Sequence, residues 1–282
     1  MKYEFYCGMD ENANIISFLE NKNIKYQISP LPGNRNRLYF TVYSDMENID
    51  EFLKRIKRLP ETSISKSSIF SKQEMEDANW YLLYVTRMGM ETKKVDYTYD
   101  AKCPFVTKYG IPKHYHLDQV NPFISSKTPK WKKGYNFCSV ETGFMTQIFC
   151  SDFAKETIQK NGINGVQFMP VLKGDLVTPT PDVSQLVFKN KLPRAAYTFV
   201  GKYSEDRCPS CGRINYVFDE PRCDFLRLNT DMLPENIDAF GSEIIIGCGF
   251  GDEPIVISKK FYNLIIKELK EKPSHFFIHP IG

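Results

Sequence analysis

One order of signals recurs twice in the second half of this chain, and that recurrence narrows the available folds more than any other feature. In the first stretch Gln147-Ile148-Phe149-Cys150 reads as a strand and Ser151 stands where a helix N-cap belongs; Phe153 to Lys160 carries helical spacing, and Val166 to Val171 returns as a strand closing on Met169-Pro170-Val171. In the second, Pro254 to Ile257 leads to Ser258, a helix over Phe261 to Leu269, and a strand closing on His279-Pro280-Ile281. Each stretch is preceded by a Cys-Pro pair, Cys103-Pro104 and Cys208-Pro209, set 105 positions apart. Strand-helix-strand units resemble one another through shared physics alone, but the paired Cys-Pro openings favour a duplication.

The amino-terminal residues read differently. Tyr3 to Cys7 alternates as a strand, Asp10 offers a cap, and Ile15, Ile16, Phe18 and Leu19 follow a helical stripe. Extended chain resumes at Tyr26 to Ser29, turns through Pro30 to Asn34, and alternates again from Arg37 to Tyr43 before Ser44 or Asp45 caps a helix bearing Ile49, Phe52, Leu53 and Ile56. Pro60 to Ser71 is rich in Ser and Lys and reads as a linker. The expected organisation is therefore α+β: a β-α-β-β-α module over residues 1–75, then a duplicated region over 76–282 whose units fall near 97–190 and 191–282.

Composition limits the function classes. The net charge of +3 is too small for the electrostatic footprint of a general nucleic-acid binder, although Lys127, Lys130, Trp131, Lys132 and Lys133 form one local basic run. No apolar stretch is long enough for a membrane span, and the first residues lack the apolar core of a signal peptide, so a cytoplasmic protein is expected. Eight cysteines spread over 282 residues without an export signal favour reduced thiols, with a subset on metal.

That subset is most visible at Cys208-Pro209-Ser210-Cys211-Gly212, whose spacing lets two thiolates reach one zinc ion from a tight turn. Cys103 and Cys223 are the candidate further ligands, with His114, His116 and Cys248 behind them. The same CxxC spacing also serves redox dithiols, but these sit at a helix N-terminus, whereas Arg213 to Phe218 reads as extended. Two ordinary reduced cysteines are the third possibility. Gly247-Cys248-Gly249-Phe250-Gly251 follows a strand but opens no helix, so it reads as a turn and not a phosphate loop. No catalytic constellation is recognisable by motif, and an enzyme is not expected. Aromatic content is 14%, and Tyr39, Tyr43, Tyr97 and Tyr99 alternate outward on two expected strands, where such side chains suit a protein interface or inter-domain packing.

From about residue 97 to 282 the sequence resembles the bacterial double-CXXCG motif proteins and shares with related immunity-protein families the order of short strand, serine, helix and closing Pro-Val. The residues that carry the resemblance are Cys208 to Arg213, Phe225-Leu226-Arg227-Leu228, Ile255 to Phe261, and Asn164 to Val171. In place of the family's first Cys-x2-Cys-Gly stands Cys103-Pro104-Phe105-Val106-Thr107-Lys108-Tyr109-Gly110, one cysteine short. The resemblance implies a protein of polymorphic toxin systems with a zinc-ribbon-like CxxCG turn, acting as an immunity protein that binds a cognate toxin. The alternative is a zinc-containing regulatory or nucleic-acid-binding protein.

Overall fold

The computed structural model describes residues 2–100, 103, 118–125, 127, 129–140, 147–218, 226–247 and 253–281. Strands account for 43% of the described residues in this mixed α/β chain. Contacts divide it into one unit running up to Glu76 and another that begins at Asp77.

The first unit is a four-stranded antiparallel sheet in the order β2-β3-β1-β4, formed by β1 (Lys2–Asp10), β2 (Tyr26–Leu31), β3 (Arg35–Tyr43) and β4 (Ser63–Ile69). Two helices, α1 (Ala13–Asn21) and α2 (Ile49–Ile56), cover one face. Alternation along β1 and β3 sends Cys7, Met9, Leu38, Phe40 and Val42 to that face, where they pack on Ile15, Leu19, Phe52, Leu53 and Ile56. The cap of α1 is Asn12 and not Asp10, which remains in β1, while Asn48 opens α2 in a left-handed conformation without a side-chain cap. The expected linker is also corrected. Ser63 to Ile69 pairs with β1 along its length, so a Ser-rich segment of weak intrinsic preference is held as an edge strand by its neighbour.

The second unit contains β5 (Trp80–Val85), β6 (Met88–Met90) and β7 (Thr92–Lys93), a short helix Val95–Thr98, and then β8 (Tyr99–Asp100), β9 (Asp118–Gln119), β10 (Ile124–Ser125), β11 (Phe137–Val140) and β12 (Ile148–Cys150). The helix Asp152–Lys160 leads to β13 (Gln167–Leu172), followed by β14 (Pro179–Val187), β15 (Lys191–Leu192), β16 (Tyr197–Phe199), β17 (Tyr203–Arg207), β18 (Ile214–Phe218) and β19 (Leu226–Leu228). The chain then forms β20 (Ala239–Ser242), β21 (Ile245–Ile246) and β22 (Ile255–Ser258). A helix from Lys259 widens at Leu264–Glu268 before β23 (Phe276–Pro280).

Two sheets share one plan. In the larger, β6-β11-β12-β14-β13 continues into β10 and β7; in the smaller the order is β15-β20-β22-β5-β23. Polarity agrees at each step: the outer pairs β6/β11 and β15/β20 are parallel, and the remaining three pairs in each five-strand set are antiparallel. Register agrees as well. Cys150, just before the cap Ser151, faces Ser184, and Pro170 faces the same Ser184 from the other side; Ile257, just before the cap Ser258, faces Tyr81, and Pro280 faces that same Tyr81.

The central strands are exchanged. β5 precedes β6 along the chain but lies in the sheet of β22 and β23, while β14 precedes β15 but lies in the sheet of β12 and β13. The expected consecutive units 97–190 and 191–282 are thereby corrected: the repeats run from β5 to β13 and from β14 to β23, each completed by the first strand of the other. Pairing decides this. Tyr81, Leu82, Leu83 and Val85 are buried between two strands of the later repeat, and a run apolar on both faces carries no local mark of which sheet it enters.

Polar contacts repeat the plan. Ser151 Oγ accepts from Ala154 N–H at 3.2 Å and donates to Asn136 Oδ1; Ser258 Oγ accepts from Phe261 N–H at 3.2 Å and donates to Asp238 Oδ1. The segment after each helix then reaches the opposite repeat. Glu271 Oε1 takes both the backbone N–H and the side-chain amide of Asn136 at 2.7 Å, and Asp238 Oδ2 takes the backbone N–H of Asn164 at 3.0 Å.

Candidate metal centre

The hairpin β17–β18 closes on the pair Arg207 and Ile214, which leaves Cys208 to Arg213 as its turn. Cys208 N–H donates to Arg213 O at 2.8 Å, and Gly212 N–H donates back to Cys208 O at 3.0 Å. Gly212 has φ +74, a conformation that side-chain-bearing residues rarely take, and this explains the glycine after the second cysteine. The turn aims two backbone donors at sulfur: Ser210 N and Cys211 N lie 3.4 and 3.5 Å from Cys208 Sγ.

Cys103 arrives from the other repeat. It follows β8, which pairs with β9, and Arg213 of the CxxCG turn donates to Asp118 of β9. Cys103 Sγ lies 3.7 Å from Cys208 Sγ, and the sulfurs of Cys103, Cys208 and Cys211 all lie within 4.8 Å of one another. Cys103 and Cys208 are buried against Ile245, and Cys211 is exposed.

A zinc ion fits this donor set. Tetrahedral thiolates at a Zn–S distance of about 2.3 Å are separated by about 3.8 Å, close to the Cys103–Cys208 spacing and far beyond a disulfide bond. The electrostatics agree. Burial pushes the Cys208 thiol up, but the N–H groups of Cys211 and Ser210 and the neighbouring thiols outweigh it and bring Cys208 down to about 7. Cys211 is pushed up, first by burial and then by its two cysteine neighbours, so the cluster favours one thiolate and resists a second unless a cation joins it. The motif sits between two strands and not at a helix N-terminus, which does not match the redox-dithiol arrangement. Cys223 lies outside the described residues, as do His114, His116 and Cys248; among the described residues the cluster has three ligands.

The four tyrosines part company. Tyr39 and Tyr43 lie on the face of the first unit's sheet opposite α1 and α2. Tyr6, which the sequence reading overlooked, stacks on Tyr39 with ring centroids 6.0 Å apart, and Tyr6 and Tyr43 are 51% and 43% exposed. The signal was available, since Tyr6 alternates with the half-buried Phe5 and the buried Cys7. Tyr97 and Tyr99 are corrected. Lys94 takes φ +54 and turns the chain into a short helix, Val95–Thr98, whose Tyr97 carbonyl is held by the Asn121 amide at 2.7 Å. The expected strand alternation is lost, and Tyr99 is buried edge-on against Phe123.

Searches against protein-family models and against curated proteins return no match. None of the helices among the described residues is long and apolar enough to cross a membrane.

Proposed function

We propose that this chain is an immunity protein that neutralises a cognate toxin by direct protein–protein binding, with zinc on Cys103, Cys208 and Cys211 as a structural staple. The observation that carries the binding reading is the open sheet face of the first unit. Tyr6, Tyr39 and Tyr43 stand there with Arg37 5.9 Å from the Tyr39 ring centroid and Lys2 4.8 Å from that of Tyr43. Aromatic rings with cations alongside bring large contact area at low entropic cost, the composition of interface hot spots. A bound zinc would neutralise the thiolates and tie the loops of the two repeats together, which stabilises without chemistry at a substrate.

The test is co-expression with genes neighbouring this one. A toxic neighbour should be rescued by the wild-type chain and rescued poorly by Tyr6→Ala/Tyr39→Ala/Tyr43→Ala, with a loss of about 2 kcal/mol or more in affinity if the face is a hot spot. If no neighbour is toxic, or if the triple variant binds and rescues like wild type, the reading fails.

A further inference from the structure

The basic run from Lys127 to Lys133 acquires a second half in the fold. The Arg87 guanidinium donates to the carbonyls of Lys130 at 3.1 Å, Tyr135 at 3.2 Å and Phe137 at 3.0 Å, so one side chain fixes three backbone points of the lysine turn from beneath. Gly134, at φ +72, has no side chain to keep the post-helix segment away: a Cβ there would lie 2.9 Å from Lys270 O. The close approach sets Lys130, Lys132 and Lys133 beside Lys270 and Lys272, and all five are exposed.

Two of these charges meet at one ring. Lys132 Nζ and Lys272 Nζ stand 4.4 and 4.8 Å from the Tyr135 ring centroid, and Lys272 donates to the Tyr135 hydroxyl at 2.8 Å. That hydrogen bond, above all, holds the phenol below the usual tyrosine range despite partial burial. The ion pairs among the described residues use none of the five lysines. Glu271 lies between Lys270 and Lys272 in the chain, but it is buried and committed to Asn136. Like charges held together by a clamped turn raise the local potential and are relieved when anions arrive.

We infer that this surface docks an acidic segment of a partner protein. Base stacking needs an accessible aromatic face, but the Tyr135 ring is already attended by Lys132, Lys272, Arg87 at 5.2 Å and the His275 ring at 4.4 Å. Trp131 is spent as well, packed on the core of the larger sheet with Arg87 5.6 Å from its ring centroid. What the surface offers is a set of exposed ammonium groups, two of them beside one ring, and these complement a run of Asp and Glu carboxylates. The surface belongs to the second unit, and its test requires no toxin.

The probes are a fluorescein-labelled oligoglutamate peptide of about ten residues and an oligothymidine of equal charge, titrated with the full chain at about 50 and 200 mM salt. The peptide should bind at low salt and weaken about tenfold at the higher salt. Lys130→Ser/Lys133→Ser/Lys270→Ser should weaken it about tenfold further, while Lys160→Ser/Lys173→Ser/Lys189→Ser, with the same change in net charge on other exposed positions, should leave it within about twofold. Unchanged thermal midpoints in both variants establish that folding is intact. Failure of the peptide to bind, equal losses in the two variants, or tighter binding of the oligothymidine at both salts overturns the inference, the last in favour of a nucleic acid.

Discussion

Exchange of β5 and β14 makes each repeat depend on the other, and severing the chain between the repeats exposes that dependence. The connection from β13 to β14 passes through Gly174, whose Cβ position meets open space, and Val177, which is 79% exposed, so a protease recognition sequence can be inserted after Gly174 at small entropic cost. After cleavage the fragment ending there keeps β5 between β22 and β23 of the other fragment, through the registers Trp80 to Leu83 with Ser258 to Ile255 and Tyr81 to Val85 with Pro280 to Phe276. In return it holds β14 between its own β12 and β13. The fragments should therefore remain one particle. A short connection supplies an effective concentration on the order of 1 mM, so at about 1 μM protein the cut costs about RT ln 1000, or about 4 kcal/mol, and each tenfold rise in protein concentration restores about 1.4 kcal/mol. Both tryptophans of the chain, Trp80 and Trp131, lie in this unit, so urea unfolding followed by tryptophan fluorescence reports on it alone. The midpoint of the cleaved protein should climb between about 1 and 100 μM while that of intact protein stays fixed. Fragments that separate in native buffer at micromolar concentration, or a cleaved midpoint indifferent to concentration, would refute the exchange.

Three further outcomes are expected. Burial pushes the Glu271 carboxyl above its ordinary value even though the Asn136 donors and Arg87 pull it down, so the folded state holds the proton more tightly than the unfolded one. Its stabilising contribution is present below the unfolded carboxylate range and lost as pH rises through the raised folded value; Glu271→Gln keeps an acceptor for Asn136 without that loss, and its stability relative to wild type should climb between about pH 4 and 7 in urea titrations, whereas a flat or falling difference contradicts the burial argument. Purified protein should carry about one zinc per chain by elemental analysis, and Cys208→Ser should abolish it with several kcal/mol of stability, while wild type that is metal-free and insensitive to chelation removes the staple. A Cβ at Gly165, with φ +95, would lie 2.1 Å from Ala239 O, so Gly165→Ala should cost about 3 kcal/mol by chemical denaturation, against less than about 0.5 for Gly174→Ala.

What was legible in the sequence is what forms within a few residues. Ser151 and Ser258 announce their helices because a hydroxyl reaches a backbone N–H three residues on, and Cys208 to Gly212 announces its turn because the bonds that close it lie inside the turn. Even the weak likeness of Pro170 and Pro280 marks a shared register. The misses are long-range. The apolar residues of Trp80 to Val85 would satisfy either sheet, and only the pairing with β22 and β23 decides. Ser63 to Ile69 looks like a linker until β1 lies beside it, and Tyr99 looks like an outward residue until Lys94 and Asn121 turn the chain before it. Glu271 is long-range in another way: it stands between two lysines in the chain, yet it is buried where Asn136 of the opposite repeat supplies two donors.

The thiol cluster joins the two kinds of information. The CxxCG turn needs nothing beyond its own residues to orient Cys208 and Cys211, but Cys103 is more than a hundred residues away in the chain and meets them because the repeats interlock. Among the described residues no strand pairing joins the β8/β9 pair directly to the β17–β18 hairpin. With β5 and β14 exchanged, and with Glu271 and Asn164 crossing to Asn136 and Asp238, the turn-bearing halves are held as one body and Cys103 is delivered to the site. The exchange and the metal staple are therefore coupled. The cut after Gly174 should weaken zinc retention at low protein concentration, and loss of zinc should in turn lower the concentration-dependent stability of the cut protein. Measuring both on one cleaved sample separates this coupling from a metal site that forms on the CxxCG turn alone, for which zinc content would not change as the fragments are diluted.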